Sequence, residues 1–134
     1  MGNNYLLDTH CLIWFQDNSY KIPNKVFDII KDPSNTIYFS QISLFEIVIK
    51  QKIGKLPLFT ASVDEVYKQS IIDGLDYLEI NNNHLFNYNR IPLFEQHRDP
   101  FDRLLLATAF TENLIIISID ESFGLYKDIV TVFW

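Results

Sequence analysis

The chain has 134 residues, 48% of them hydrophobic and 15% aromatic, which is enough to bury one core and leaves no room for a second. Its formal charge of −6 excludes a broad basic face for gripping nucleic acid, so any contact with phosphate falls to a few cations beside acids that metal neutralises. Its apolar runs fall far short of the roughly 20 residues of a membrane helix. A lone Cys11 cannot staple a secreted fold, and Met1-Gly2-Asn3-Asn4 shows no secretory pattern, so the cytoplasm is the expected location.

In chain order, Tyr5-Leu6-Leu7 predicts a short strand ended by Asp8-Thr9-His10, and Cys11 to Phe15 continue as a helix. A second helix runs from Ile22-Pro23 to Lys31 and is stopped by Asp32-Pro33. Thr36 to Phe39, β-branched and aromatic, reads as a strand. Ser40 to Lys52 follows as a long apolar helix closed by Gly54. Lys55 to Ser62 is a loop, Val63 to Asp73 a helix, and Tyr77 to Ile80 a strand. A short helix over Asn82 to Tyr88 and a loop to Arg98 precede a strongly apolar helix from Pro100 to Asn113. Leu114 to Ser118 is a buried strand and Ile129 to Phe133 the last one. Strands alternating with helices imply right-handed crossovers, hence an α/β fold with a mainly parallel sheet covered on both faces, as a single domain over 1–134.

Ligands of such sheets collect at the carboxyl ends of the strands, where Asp8 and Asp120 fall. Each acid of interest also has an ordinary structural reading. Asp8, Asp99 and Asp120 are well placed as helix N-caps, and Asp99 precedes a proline at the first turn. Ser43 to Glu46 fits a capping box, and Glu46 stands four residues before Lys50. Glu46 nevertheless has Ile42 and Ile49 at helical spacing, and Asp102 opens the helix of Leu104, Leu105, Leu106 and Ala107. Unpaired carboxylates on apolar faces are costly. Asp8, Glu46, Asp102 and Asp120 together therefore ask for a shared counter-ion, and oxygen ligands suit Mg²⁺ or Mn²⁺. The chemistry that follows is phosphodiester hydrolysis with no covalent protein intermediate. Ser118 is a candidate to orient water or a ligand. Lys50, Lys52, Lys55, Arg98 and Arg103 flank the acids and are candidates for RNA phosphate contacts. His10, His84 and His97 with Cys11 lack zinc-ligand spacing, and Cys11 reads as a small core residue.

Leu6-Leu7-Asp8-Thr9-His10, Ser43-Leu44-Phe45-Glu46-Ile47, the run His97 to Leu105, and Ser118-Ile119-Asp120, in this order, resemble a PIN domain of the VapC toxin type over essentially the whole chain. The ending Val132-Phe133-Trp134 fits as well. The resemblance implies an α/β/α sandwich, metal-dependent endoribonuclease activity, inhibition by a cognate antitoxin protein, and a homodimer. It carries Asp8, Glu46, Asp102 and Asp120 over as catalytic metal-site acids, with Asp99 as a neighbour; Thr9 and Ser118 are candidates to support them from behind. The rival readings are a catalytically silent PIN-like binding module, which would have lost one of these acids, and a phosphatase-type domain, which would need a carboxylate pair after the first strand.

Overall fold

Five short strands lie side by side through the middle of the molecule. The computed structural model describes residues 2–134. The strands are β1 (Asn4–Leu7), β2 (Thr36–Ser40), β3 (Asp76–Leu78), β4 (Ile115–Ile117) and β5 (Val132–Phe133), in the order β3-β2-β1-β4-β5. Every strand pair is parallel, with Leu6 opposite both Tyr38 and Ile116 and Leu7 opposite Ile117. The α/β expectation therefore holds, with a sheet that is parallel throughout.

Parallel strands need long crossovers, and six helices with one 3-10 helix supply them. These are α1 (Thr9–Gln16), α2 (Asn24–Lys31), α3 (Gln41–Lys52), α4 (Val63–Ile72), α5 (Asn82–Tyr88) and α6 (Pro100–Glu112), with the 3-10 helix over Glu121–Tyr126. The two-residue alternation of the strands divides the core between the faces of the sheet. Tyr5, Leu7, Ile37, Phe39 and Ile117 point to one side, where Leu12 of α1, Val26 of α2, Ile47 of α3 and Val66 of α4 meet them. Leu6 and Ile116 point to the other, against Leu105 and Leu106 of α6 and the aromatic rings of Phe123 and Tyr126. Leu6, Leu7, Ile116 and Ile117 have no solvent exposure, and each contributes about 1.5–3 kcal/mol by leaving water.

Local signals set the helix boundaries. Ser40 caps α3 by accepting the Ile42 N–H, so the Ser43-to-Glu46 capping box expected from the sequence does not form and both residues lie inside the helix. Pro23, expected inside the second helix, precedes it as the N-cap residue, because its fixed φ and absent N–H suit a helix start. Asn113 ends α6 in the left-handed region at φ 56° and is the C-cap rather than the last helical residue. The third strand starts one residue earlier than expected and stops at Leu78, and the last is confined to Val132–Phe133. The 3-10 helix takes up the chain between β4 and β5.

Candidate metal centre

β1 and β4 are neighbours in the sheet, and the chain leaves them toward opposite edges, β2 and β3 lying to one side and β5 to the other. Their carboxyl ends form the switch point at which open α/β sheets gather ligands. Asp8 follows β1 directly, and Ser118 and Asp120 follow β4. The Asp8 N–H donates to the Ile117 carbonyl at 3.1 Å, which extends the ladder by one rung and sets Asp8 beside Ser118. The Ser118 hydroxyl donates to Asp8 Oδ2, and its oxygen accepts the Asp120 N–H at 3.0 Å. Asp8 Oδ1 caps α1 by accepting the Cys11 N–H at 2.7 Å. The capping and cluster readings of Asp8 are thus both true, one for each oxygen.

Two helices bring the other acids to this edge. Glu46 of α3 is 3% exposed. Its Oε1 accepts the Thr9 hydroxyl at 2.7 Å, and its Oε2 lies 2.6 Å from Lys50 Nζ. The Thr9 hydroxyl is also 3.0 Å from that of Ser43. Asp102 sits in the first turn of α6, where Asp99 Oδ1 accepts the N–H groups of Phe101 and Asp102 and so fixes the start of the helix. Asp102 Oδ2 lies 3.0 Å from His97 Nε2. Asp120 caps the 3-10 helix through the Ser122 N–H and hydroxyl, at 2.9 and 2.6 Å.

The electrostatics tie the four acids together. Burial pushes the Asp8 carboxyl up to about 6, against the hydrogen bonds from Ser118 and Cys11, and the charges of Asp120 and Glu46 push the same way. Burial likewise raises Asp102, with Asp99 and Glu46 adding repulsion and His97 opposing it. Among the described residues, Lys50 forms an ion pair with Glu46, and His84 and His97 meet Glu112 and Asp102 through ring nitrogens, so no lysine or arginine answers Asp8 or Asp120. His97, Asp102 and Asp120 can each bring one donor atom within 4.8 Å of the others. An oxygen-rich set with surplus negative charge fits a hard divalent cation.

The remaining sequence candidates separate. Lys52 and Arg98 are exposed, and Lys50 is occupied by Glu46. Arg103, expected to meet RNA phosphate, is 4% exposed. It donates to the carbonyls of Ile91 and Pro92 at 2.9 and 2.6 Å and stacks on the Tyr88 ring, so it holds the loop before α6 and has no reach to RNA. His10 is exposed, with its ring tilted 6.0 Å from that of Trp14. Cys11 is buried, and burial pushes its thiol far up, which makes it an inert core residue. Two residues here had no role assigned from the sequence: His97, which opens the PIN-like run His97 to Leu105 and lacks zinc-ligand spacing, and Tyr126, which only the fold brings to His97.

An open parallel α/β sheet thus gathers acids at its switch point, with Asp8 and Glu46 buried, Asp102 half-buried and Asp120 exposed. The PIN domain family model matches residues 5–128. The chain belongs to the PIN domain family, as its sequence motifs implied. No curated protein matches its sequence. Among solved structures it is similar to VapBC-1 from nontypeable Haemophilus influenzae, with 15% identity, 97% and 96% of the two chains covered and a TM-score of 0.65. It is similar also to VapBC2 from Rickettsia felis bound to a promoter DNA fragment, with 19% identity, 98% of each chain covered and a TM-score of 0.66. DNA-bound VapBC from Salmonella typhimurium aligns at 15% identity and a TM-score of 0.64, over 98% and 97% of the chains. At these identities the likeness is one of fold.

Proposed function

We propose that this chain is a metal-dependent endoribonuclease and the toxin of a toxin–antitoxin pair, hydrolysing RNA at Asp8, Glu46, Asp102 and Asp120. The observation that carries the reading is Asp8, a carboxylate 5% exposed, pressed by two like charges and paired with no cation, at the switch point of a PIN domain. Similarity to structures described as VapBC assemblies supports the toxin reading. Bound there, Mg²⁺ or Mn²⁺ would neutralise the scissile phosphate and ease attack by water.

The chain's own groups do the rest. Asp8, Glu46, Asp102 and Asp120 would hold the ion. Glu46 adds charge and is oriented by Thr9 and Lys50, and Ser118 fixes the Asp8 carboxylate. Lys52 and Arg98, with Lys50 at the rim, meet the RNA backbone. An apolar groove of about 550 Å³ lies beside the acids, lined by Ile42, Phe45, Ile80, Phe101 and Leu104. With the exposed Phe45, Phe86 and Leu93 it offers surface to an antitoxin protein and to a second copy in a homodimer. On this proposal the chain is one PIN domain, residues 1–134, working in the cytoplasm; among the described residues no helix is long and apolar enough to cross a membrane.

The test is expression in bacteria without a partner, together with incubation of the purified chain with RNA and Mg²⁺ or Mn²⁺. The expected result is growth arrest and cleavage, both lost in a folded Asp102→Asn variant. Metal binding without cleavage would favour the silent binding module, and equal toxicity of Asp102→Asn at equal abundance would overturn the site.

A further inference from the structure

His97 stands between Asp102 and a chain of hydrogen bonds that runs through Tyr126 to Arg103. Arg103 Nη1 lies 3.4 Å from the Tyr126 hydroxyl oxygen. A guanidinium only donates, so the phenol oxygen accepts there. The phenol proton is then free for His97 Nδ1, at 2.7 Å. When Nδ1 accepts that proton, Nε2 is the ring atom left to donate, and it faces Asp102 Oδ2 at 3.0 Å.

The ring itself has little freedom. It is 6% exposed and packs edge-on to Phe123 and Tyr126, with centroids 5.8 and 5.4 Å away. Its backbone is bridged to Phe94. Phe123 and Tyr126 both belong to the 3-10 helix that Asp120 caps, so one short element places Asp120 and braces the group that touches Asp102.

We infer that His97 is a positioning residue: in its Nε2–H form it donates to Asp102 Oδ2 and turns the other carboxylate oxygen toward the cation, without itself being a ligand. The inference rests on the metal-site reading above. It differs from the other use of the same atoms, in which His97 Nε2 joins Asp102 and Asp120 around the ion. Bonded to a metal, Nε2 would carry no proton and could not donate to Asp102. Partners of this kind, acting behind the ligands, change metal affinity about 10–100-fold when removed.

The experiment uses the full chain with Mn²⁺ as the probe and no RNA. Mn²⁺ affinity is measured by calorimetry, the ligand sphere by pulsed EPR, and the His97 tautomer in the metal-free protein by ¹⁵N NMR, with His97→Gln identifying its signals. The parent is expected to bind Mn²⁺ without nitrogen coupling from a coordinated imidazole and to show His97 protonated on Nε2. His97→Gln, whose amide can both donate to Asp102 and accept from Tyr126, should keep its affinity within about threefold, while His97→Ala loses roughly 10–100-fold. Tyr126→Phe keeps the ring in place and frees the tautomer, so it should give a mixed ¹⁵N pattern and an intermediate affinity; it also serves if His97→Ala does not fold. A coordinated-imidazole signal in the parent, or a His97→Gln loss as large as that of His97→Ala, would overturn the inference and leave the metal site standing. Absence of Mn²⁺ binding by the parent would instead overturn the metal-site reading, and this inference with it.

Discussion

The Ser118 hydroxyl donates to a carboxylate 110 positions earlier in the chain, that of Asp8, and this contact joins the two strand ends on which the site is built. The bond lowers the Asp8 pKa, yet burial outweighs it and the group stays near 6, above its ordinary 3.8. The native state therefore binds a proton more readily than the unfolded chain. This group's contribution to stability is fully present below pH 4 and is lost as the pH rises through 6.

Asp8→Asn removes that charge and keeps the cap on α1, since asparagine caps about as well. The metal-free variant should melt higher than the parent at pH 7, by an amount on the order of 2–3 kcal/mol. The advantage should shrink between pH 6 and pH 4, and the rise in melting temperature given by Mn²⁺ should be largely gone, because binding to the native state alone produces it. Calorimetric melts across that range decide the matter. A lower melting point at pH 7 with the full Mn²⁺ effect would make Asp8 a structural cap and nothing more.

Among the described residues, Lys50 is the lysine that pairs with this cluster, 2.6 Å from Glu46. Lys50→Met leaves Glu46 buried without it. The metal-free protein should lose about 1–2 kcal/mol, discounted for the part of Lys50 that water reaches. Mn²⁺ should then stabilise the variant more than the parent, because the ion replaces the missing charge. An unchanged metal response in thermal melts would show that Lys50 does not neutralise the site.

The arginines on either side of Asp99 should behave oppositely. Arg98→Glu, like Lys52→Glu, should leave the melting temperature nearly unchanged and flatten the salt dependence of RNA binding by about one unit for each phosphate no longer neutralised. Arg103→Met strands the buried Ile91 carbonyl, at about 1–3 kcal/mol for a buried group left unpaired, and frees the more exposed Pro92 carbonyl to water. Its melting temperature should fall by roughly 10 °C. Filter-binding salt titrations beside thermal melts separate the two, and a stable Arg103→Met with weakened RNA binding would reverse the assignment.

Asn113 tests the end of α6. At φ 56° a Cβ is tolerated mainly because asparagine bonds locally, so Asn113→Ala should cost about 1–2 kcal/mol while Asn113→Gly is neutral or better. Equal denaturation midpoints for the two would mean that the left-handed cap is not a determinant of stability.

These residues also mark how far the sequence could be read. The strand ends at Asp8 and Asp120 were legible, because apolar runs stopped by acids report both the sheet and its ligand edge. Glu46 and Asp102 were legible as polar exceptions on apolar faces. The helix starts at Asn24 and Gln41 were displaced by one or two residues, since several capping residues compete locally and packing selects one. Arg103 was misread. Beside Asp102 in sequence it looked like a phosphate contact, but the helix turns the next side chain inward, and the carbonyls that hold it belong to a loop without periodicity. Burial comes first at both Asp8 and Asp102, and the neighbouring charges follow.

The order of the strands fixes when the site can exist. β1 is made first, yet it pairs with β4 as well as β2, so its central place in the sheet is filled only after Ile115–Ile117 has been synthesised. Loop closure over such a span is slow, and domains complete their folding once the last strand they need has left the ribosome. A growing chain can hold Asp8 and Glu46 on partly formed elements, but Asp102 arrives with α6 and Asp120 later still. On the reading proposed above, a chain still in translation carries an unfinished nuclease, and the ribosome and message that make it are exposed to an active site only after Asp120 has emerged.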